Sequence, residues 1–326
     1  MVRTEVLRGH AAVWLENDQL QALVLPNKGA DVYRLIHRPS GVDFLYKTRL
    51  GLVPPSADRP LDVVEDYEGG WQELFPNTGD ACEYRGVALP VHGEVAVLPW
   101  AYEVLPEEDA SVRFWVETRR TPFRLERWMR LCPGRPKLDI EETVTHLGDA
   151  PIDFVWGHHI VLGGTFLEAG CRYETTAHTI IVPDQPKETA HARLAPGQRS
   201  GWPMAKARRA GETIDLSRIP GPEARSHDEV YLTDLETGQA SVHNARLGLT
   251  FQLEWDLTIF GCLVMWQPFG GIDVPPWDGS YGVGFEPWTT DGNLASALAR
   301  GKALRLAAGE SLSTHLTINI TEHMKS

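Results

Sequence analysis

Apolar and polar residues alternate with a period of two through most of this 326-residue chain, and that pattern restricts it to half-buried strands. Val112, Phe114 and Val116 share a face in "SVRFWVE". Phe123, Leu125, Met129 and Leu131 share one in "FRLERWMRL", and Leu312, Leu316, Ile318 and Ile320 in "SLSTHLTINI". Further strand-like runs lie at 20–25, 30–37, 94–105, 137–146, 152–162, 178–182, 229–235, 247–255 and 259–266. Turn-forming stretches such as "RPSG", "CPGRP", "HLGDAP" and "AAGES" punctuate them. Helical patterning is confined to two turns at 293–301 and a short helix expected after "EGGWQELF". Without a rhythm of strand and long helix, a parallel α/β sheet is disfavoured. The expectation is an all-β fold, a large antiparallel sandwich or barrel.

Strands resume with the same pattern after the proline-, glycine- and charge-rich stretch 183–226. The chain therefore reads as one domain over 1–326 with a surface excursion at about 183–226. A hydrophobic content of 42% is enough for a large core. The formal net charge of −13 argues against nucleic-acid or anionic-membrane partners. No apolar run approaches the roughly 18 residues of a membrane span, and the N-terminus lacks signal-peptide features. Cys82, Cys132, Cys171 and Cys262 are scattered, with no C-x-x-C pair. A reducing, cytoplasmic setting is expected, and the oligomeric state is left open.

Three segments break the alternation and mix titratable residues with glycine and tryptophan: 68–95, 154–164 and 265–290. Tryptophan faces such as those of Trp71, Trp156, Trp266 and Trp288 suit the apolar face of a sugar ring, and neighbouring amides and acids suit its hydroxyls. Each tryptophan is equally at home in a core. No G-x-S-x-G elbow, Walker A loop or G-x-G-x-x-G fingerprint is present. His92, His158, His159 and Glu286 could in principle bind a metal, but no ligand spacing supports it. Adjacent strand residues face opposite ways, so only one of His158 and His159 is expected to work in a site while the other braces it or packs.

The ordered set "GGWQELFPN", "LPVHGEV", "VWGHHIVLGG", "SHDEVYL" and "GFEPWTT" resembles the aldose 1-epimerase (galactose mutarotase-like) superfamily over about residues 10–320. The resemblance implies a β-supersandwich and a sugar site without metal or cofactor. It further implies Glu286 as the base on the anomeric hydroxyl and His159 as the acid on the ring oxygen. It also implies His92 and Asp228 as sugar-binding residues; His158, the rival for the acid, and Trp71, for its flat face, are the further sugar-binding candidates. The chain departs from the superfamily in having "GGWQ" where an Asn-Arg-Ile stretch is common, Ile160–Leu162 after the acid, and Glu94 in "HGE". The last two departures bear on the substrate more than on the reaction. Two other readings stay open: a non-catalytic sugar-binding protein, and a carbohydrate hydrolase or lyase. A hydrolase would need a carboxylate pair, for which Glu73, Glu94, Asp273 and Glu286 are candidates.

Overall fold

The computed structural model describes residues 1–105, 110–185 and 190–323. Antiparallel strands dominate. One run passes from Val2–Leu7 through His10–Glu16, Leu20–Leu25 and Asp31–His37 to Trp71–Leu74 and Gly157–Leu162. It continues through Glu286–Trp288 to Cys262–Phe269. A second run passes from Ala101–Val104 through Ala110–Glu117, Phe123–Leu131 and Lys137–His146 to Ser311–Glu322 and Leu249–Trp255. The runs meet on the long strand Ser226–Asn244. Its first half pairs with Cys262–Phe269 and its second half with Leu249–Trp255. Asp234 interrupts that strand with a φ of 56°, in the middle of a stretch exposed to solvent.

The inward faces of both runs close one apolar core, in which Leu15, Phe75, Phe114, Leu125, Ile140, Trp156, Phe251 and Ile318 are all buried. The period-two reading finds its counterpart here: Val112, Phe114 and Val116 are buried, as are Phe123, Leu125, Met129 and Leu131. Arg127 occupies the remaining inward slot of its strand and is also buried. The two turns expected near 293–301 form as a helix over Leu294–Ala299, capped by the Asn293 side chain.

The short helix expected after "EGGWQELF" does not form. Trp71–Leu74 is a strand, and the chain beyond it turns. Side chains there bond across to other loops instead of permitting a helix. Asn77 Nδ2 donates to the carbonyls of Asp80 and Pro90, both at 3.0 Å, and Thr78 Oγ1 to that of Gly292 at 2.7 Å. The stretch 94–105 likewise divides into a short 3₁₀ turn at Val95–Val97 and a strand at Ala101–Val104.

Candidate active site

The strand Gly157–Leu162 carries both histidines, and the alternation of a strand separates them. His159 is in register with Gln72 and His158 with Glu73 on the neighbouring strand, so each pair shares a face. His159 looks into a cavity of about 380 Å³. Around it stand His92, His227, Glu229, Trp266, Trp277, Glu286 and Trp288.

His159 Nε2 lies 3.7 Å from Glu286 Oε1, although the two residues are far apart in sequence. Backbone pairing fixes that approach: Glu286 is in register with Val264, and the Phe285 amide donates to the Ile160 carbonyl at 2.8 Å. Gly284 makes room for the carboxylate. A Cβ there would sit 2.4 Å from Glu286 Oε1 and 2.7 Å from the Trp266 amide nitrogen. Gly157 does the same for Trp288, whose Cδ1 lies 2.6 Å from where a Cβ would stand.

The far side of the His159 ring is held by the Gln72 amide. Gln72 Nε2 donates to the Gly69 carbonyl at 2.8 Å, which turns Oε1 toward His159 Nδ1 at 3.3 Å. Tyr67 Oη lies 3.3 Å from the same nitrogen. Nδ1 therefore carries a proton shared between these acceptors, and Nε2 is directed at Glu286 and the cavity. Burial first, and then the charges of Tyr46 and Glu286, push the Tyr67 phenol well above its ordinary range, so it stays neutral. Behind Gln72 lie Asp31 and a buried cluster in which Lys28 pairs with Asp31 and Glu68.

His92 completes the histidine wall. Its ring centroid is 5.2 Å from that of His159 and 6.0 Å from that of Trp288. It holds a φ of 60°, a conformation uncommon outside glycine, beside Gly93 at 78°. Trp266 and Trp277 meet edge to face at 5.8 Å, and Tyr67 stacks on Trp277 at 4.5 Å, giving the cavity flat apolar walls. The Trp266 indole N–H donates to His227 Nε2 at 2.7 Å.

The structure gathers His159, Glu286 and His92 at this cavity but places His158 and Trp71 elsewhere. Both lie on the opposite face of their strands, fully buried. There Trp71 Nε1 donates to His158 Nδ1 at 3.2 Å. Strand parity is the reason: Trp71 is in register with Ile160, on the side away from His159. Asp228 shares the core-facing side of its strand with Val230 and Leu232. Its carboxylate accepts from the Arg193 and Leu194 amides and from Arg193 Nε at 2.8 Å. That carboxylate anchors the segment at 193–194, and Asp228 also lines the cavity that adjoins this one. The cavity receives His227 and Glu229 instead, and alternation within "SHDEVYL" was the available signal for them. Tyr67 and Trp277 stand in irregular segments and carried no comparable signal.

Around His158 is a buried charged network. Glu73 and Glu142 both pair with Arg127, Glu142 Oε1 at 2.8 Å from Arg127 Nε. His158 Nε2 lies 3.2 Å from Glu142 Oε2, and Nδ1 3.4 Å from Glu73 Oε2. Burial and the neighbouring Glu142 charge push Glu73 up to about 7. Burial works against ionisation of Glu142, but His158 and Arg127 hold it down to about 2. His158 is raised despite burial, by Glu73 and then Glu142. With two carboxylates and one guanidinium, the network keeps one extra proton. The Trp71 N–H requires a lone pair on His158 Nδ1, which favours Glu73 as its holder. Glu73, Glu142 and His158 could offer three ligand atoms within 4.8 Å of one another. The Arg127 guanidinium already pairs with both carboxylates and would repel a cation.

Of the carboxylates considered as partners for Glu286, none lines the cavity. Glu73 belongs to the buried network. Glu94 accepts from the Arg119 and Arg120 amides and Thr121 Oγ1, and Asp273 pairs with His191 and Arg225.

The antiparallel β fold is galactose mutarotase-like, and solved structures match it over nearly the whole chain. The Slr1438 protein from Synechocystis sp. PCC 6803 is 20% identical with a TM-score of 0.72, covering 98% of this chain and 97% of that one. A proposed aldose 1-epimerase from Klebsiella pneumoniae subsp. pneumoniae MGH 78578 is 16% identical with a TM-score of 0.74, over 99% of this chain and 83% of that one. A galactose mutarotase-like protein from Clostridium acetobutylicum is 16% identical with a TM-score of 0.68, over 99% and 98%. The chain itself belongs to the family described as "Domain of unknown function (DUF4432)", whose model matches residues 7–320. Among curated proteins none matches the sequence.

Proposed function

We propose that the protein is an aldose 1-epimerase, interconverting the α and β anomers of a sugar by ring opening. The observation that carries this reading is the approach of His159 Nε2 to Glu286 Oε1, 3.7 Å apart in a cavity with tryptophan walls. The anomeric hydroxyl and the ring oxygen are attached to one carbon, so an acid and a base that close to each other can reach both. Glu286 takes the proton of the anomeric hydroxyl while His159 Nε2–H protonates the ring oxygen. The bond between C1 and the ring oxygen breaks, giving the open-chain aldehyde. Rotation about C1–C2 and the reverse transfers return the other anomer with both side chains restored. Positioned acid and base groups of this kind contribute roughly 10²–10⁴-fold each. With the Nδ1 proton held by Gln72 and Tyr67, the imidazolium form of His159 carries its second proton on Nε2, the one given to the sugar.

A sugar phosphate would bring about −1.5 to −2 charges. Lysine and arginine are missing from the described residues lining the cavity, whereas Glu229 and Glu286 are among them. The substrate is therefore a neutral aldose or aldose derivative. The test is NMR-monitored anomer equilibration over a panel of free and phosphorylated aldoses. Catalysis of at least one free aldose, well above the spontaneous rate, is expected. Exclusive catalysis of phosphorylated sugars would overturn the substrate class, and none at all would overturn the reaction.

A further inference from the structure

The cavity of His159 and Glu286 continues past Glu229. A second cavity of about 290 Å³ adjoins it, and the two share Asp80, His227 and Glu229. His227, Glu229 and Tyr231 occupy alternate positions of one strand. Their side chains share a face that runs roughly 13 Å, at about 3.3 Å per residue, from the first cavity into the second. The first space has aromatic walls and the acid–base pair. The second is lined by a phenol, an amide, a hydroxyl and carboxylates, from Tyr231, Asn293, Ser296, Asp80 and Glu229, with Val182 and Leu194 as its apolar side. Tyr231 Oη donates to Glu229 Oε1 at 3.0 Å, which fixes that carboxylate at the junction.

A first cavity of about 380 Å³ stands near the lower end of the roughly 300–1,000 Å³ of small-molecule sites and suits a single ring. The adjoining space, of about 290 Å³, is smaller and has hydrogen-bonding groups of the kind that hold sugar hydroxyls. Its described lining residues also include no lysine or arginine. We propose that the substrate is a neutral reducing sugar of two or more rings. The reducing-end ring occupies the His159–Glu286 cavity, and the next ring lies in the cavity bounded by Asp80, Glu229 and Ser296. This rests on the epimerase reading and names its substrate class.

The experiment compares anomer-equilibration kinetics for reducing disaccharides (maltose, cellobiose and lactose) with those for glucose and galactose. It uses the wild-type chain and two variants that fill the second cavity, Ser296→Trp and Gln185→Trp. Gln185 lines that cavity and is exposed, so its replacement is compatible with folding even where Ser296→Trp is not. At least one disaccharide is expected to exceed its monosaccharide in kcat/KM by tenfold or more. Each folded variant should erase that advantage while leaving monosaccharide turnover within about twofold. Equal kcat/KM for both sizes, unchanged by filling the cavity, overturns the proposal and leaves the epimerase reading intact. If no sugar of either size is equilibrated by the wild type, the epimerase reading fails and the proposal falls with it.

Discussion

Replacing Arg127 by Met should destabilise the fold strongly, and by an amount that grows with pH. Arg127 is 2% exposed, and Glu73, Glu142 and His158 are each 0% exposed. Its guanidinium pairs with both carboxylates, donates to the Ala30 carbonyl at 2.8 Å and lies 5.0 Å over the Trp100 ring. Methionine keeps much of the apolar stem but leaves Glu73 and Glu142 buried without the guanidinium they share. Removing one member of a buried ion pair costs about 3–5 kcal/mol, a large part of the roughly 5–15 kcal/mol that holds a folded chain together. Proton uptake by Glu73 limits that loss when protons are plentiful, so the deficit should be smaller at pH 5 than at pH 8. Urea unfolding of both proteins at the two pH values measures it. A loss below about 1 kcal/mol at pH 8, or one independent of pH, would refute the reading of this network as a charge-balanced buried unit.

Glu73 is held up at about 7 in the fold against an ordinary value of 4.5. Its protonated form is therefore favoured by folding, and that contribution is complete below about pH 4.5 and lost as pH rises through about 7. Glu73→Gln should flatten this part of the stability–pH curve relative to wild type; parallel curves between pH 4.5 and 7.5 would contradict it. Gln72→Leu removes an acceptor of the His159 Nδ1 proton, so kcat should fall about tenfold or more with little change in KM and a shifted alkaline limb of the pH–rate profile, the limb set by the acid. Unaltered kcat and an unmoved limb would remove Gln72 from the positioning role. His159→Asn should lower turnover by ~10²-fold or more, and His158→Asn by less, with its main effect on unfolding midpoint; the reverse ranking in steady-state assays would move the acid to His158.

Strand alternation exposed the fold because a half-buried sheet writes its inside and outside on successive residues. Phe123, Leu125, Met129 and Leu131 were legible as an inward face. The residue between them, Arg127, broke that face at the point where the buried network crosses from one layer to the other. Parity also separated His158 from His159. Applied to "SHDEVYL", it would have preferred His227 and Glu229 to Asp228. It equally assigns Trp71 to the His158 side and Gln72 to the His159 side. The meeting of His159 with Glu286 depends on long-range pairing of Gly157–Leu162 and Cys262–Phe269 with Glu286–Trp288, which no local pattern encodes. Only the resemblance to the epimerase superfamily suggested it. The helix expected after Phe75 was lost to side-chain bonds from Asn77 to the Asp80 and Pro90 carbonyls and from Thr78 to that of Gly292.

The central claim is that His159 and Glu286 together open and close a sugar ring. Its most direct test is the rate of α–β exchange of a neutral reducing sugar, followed by NMR with wild-type protein and with Glu286→Gln. The account predicts exchange well above the spontaneous rate for the wild type and a fall of ~10²-fold or more for the variant, in a protein with an unchanged unfolding transition. Exchange catalysed equally by both proteins would contradict it, as would a wild-type rate no faster than that of the sugar alone.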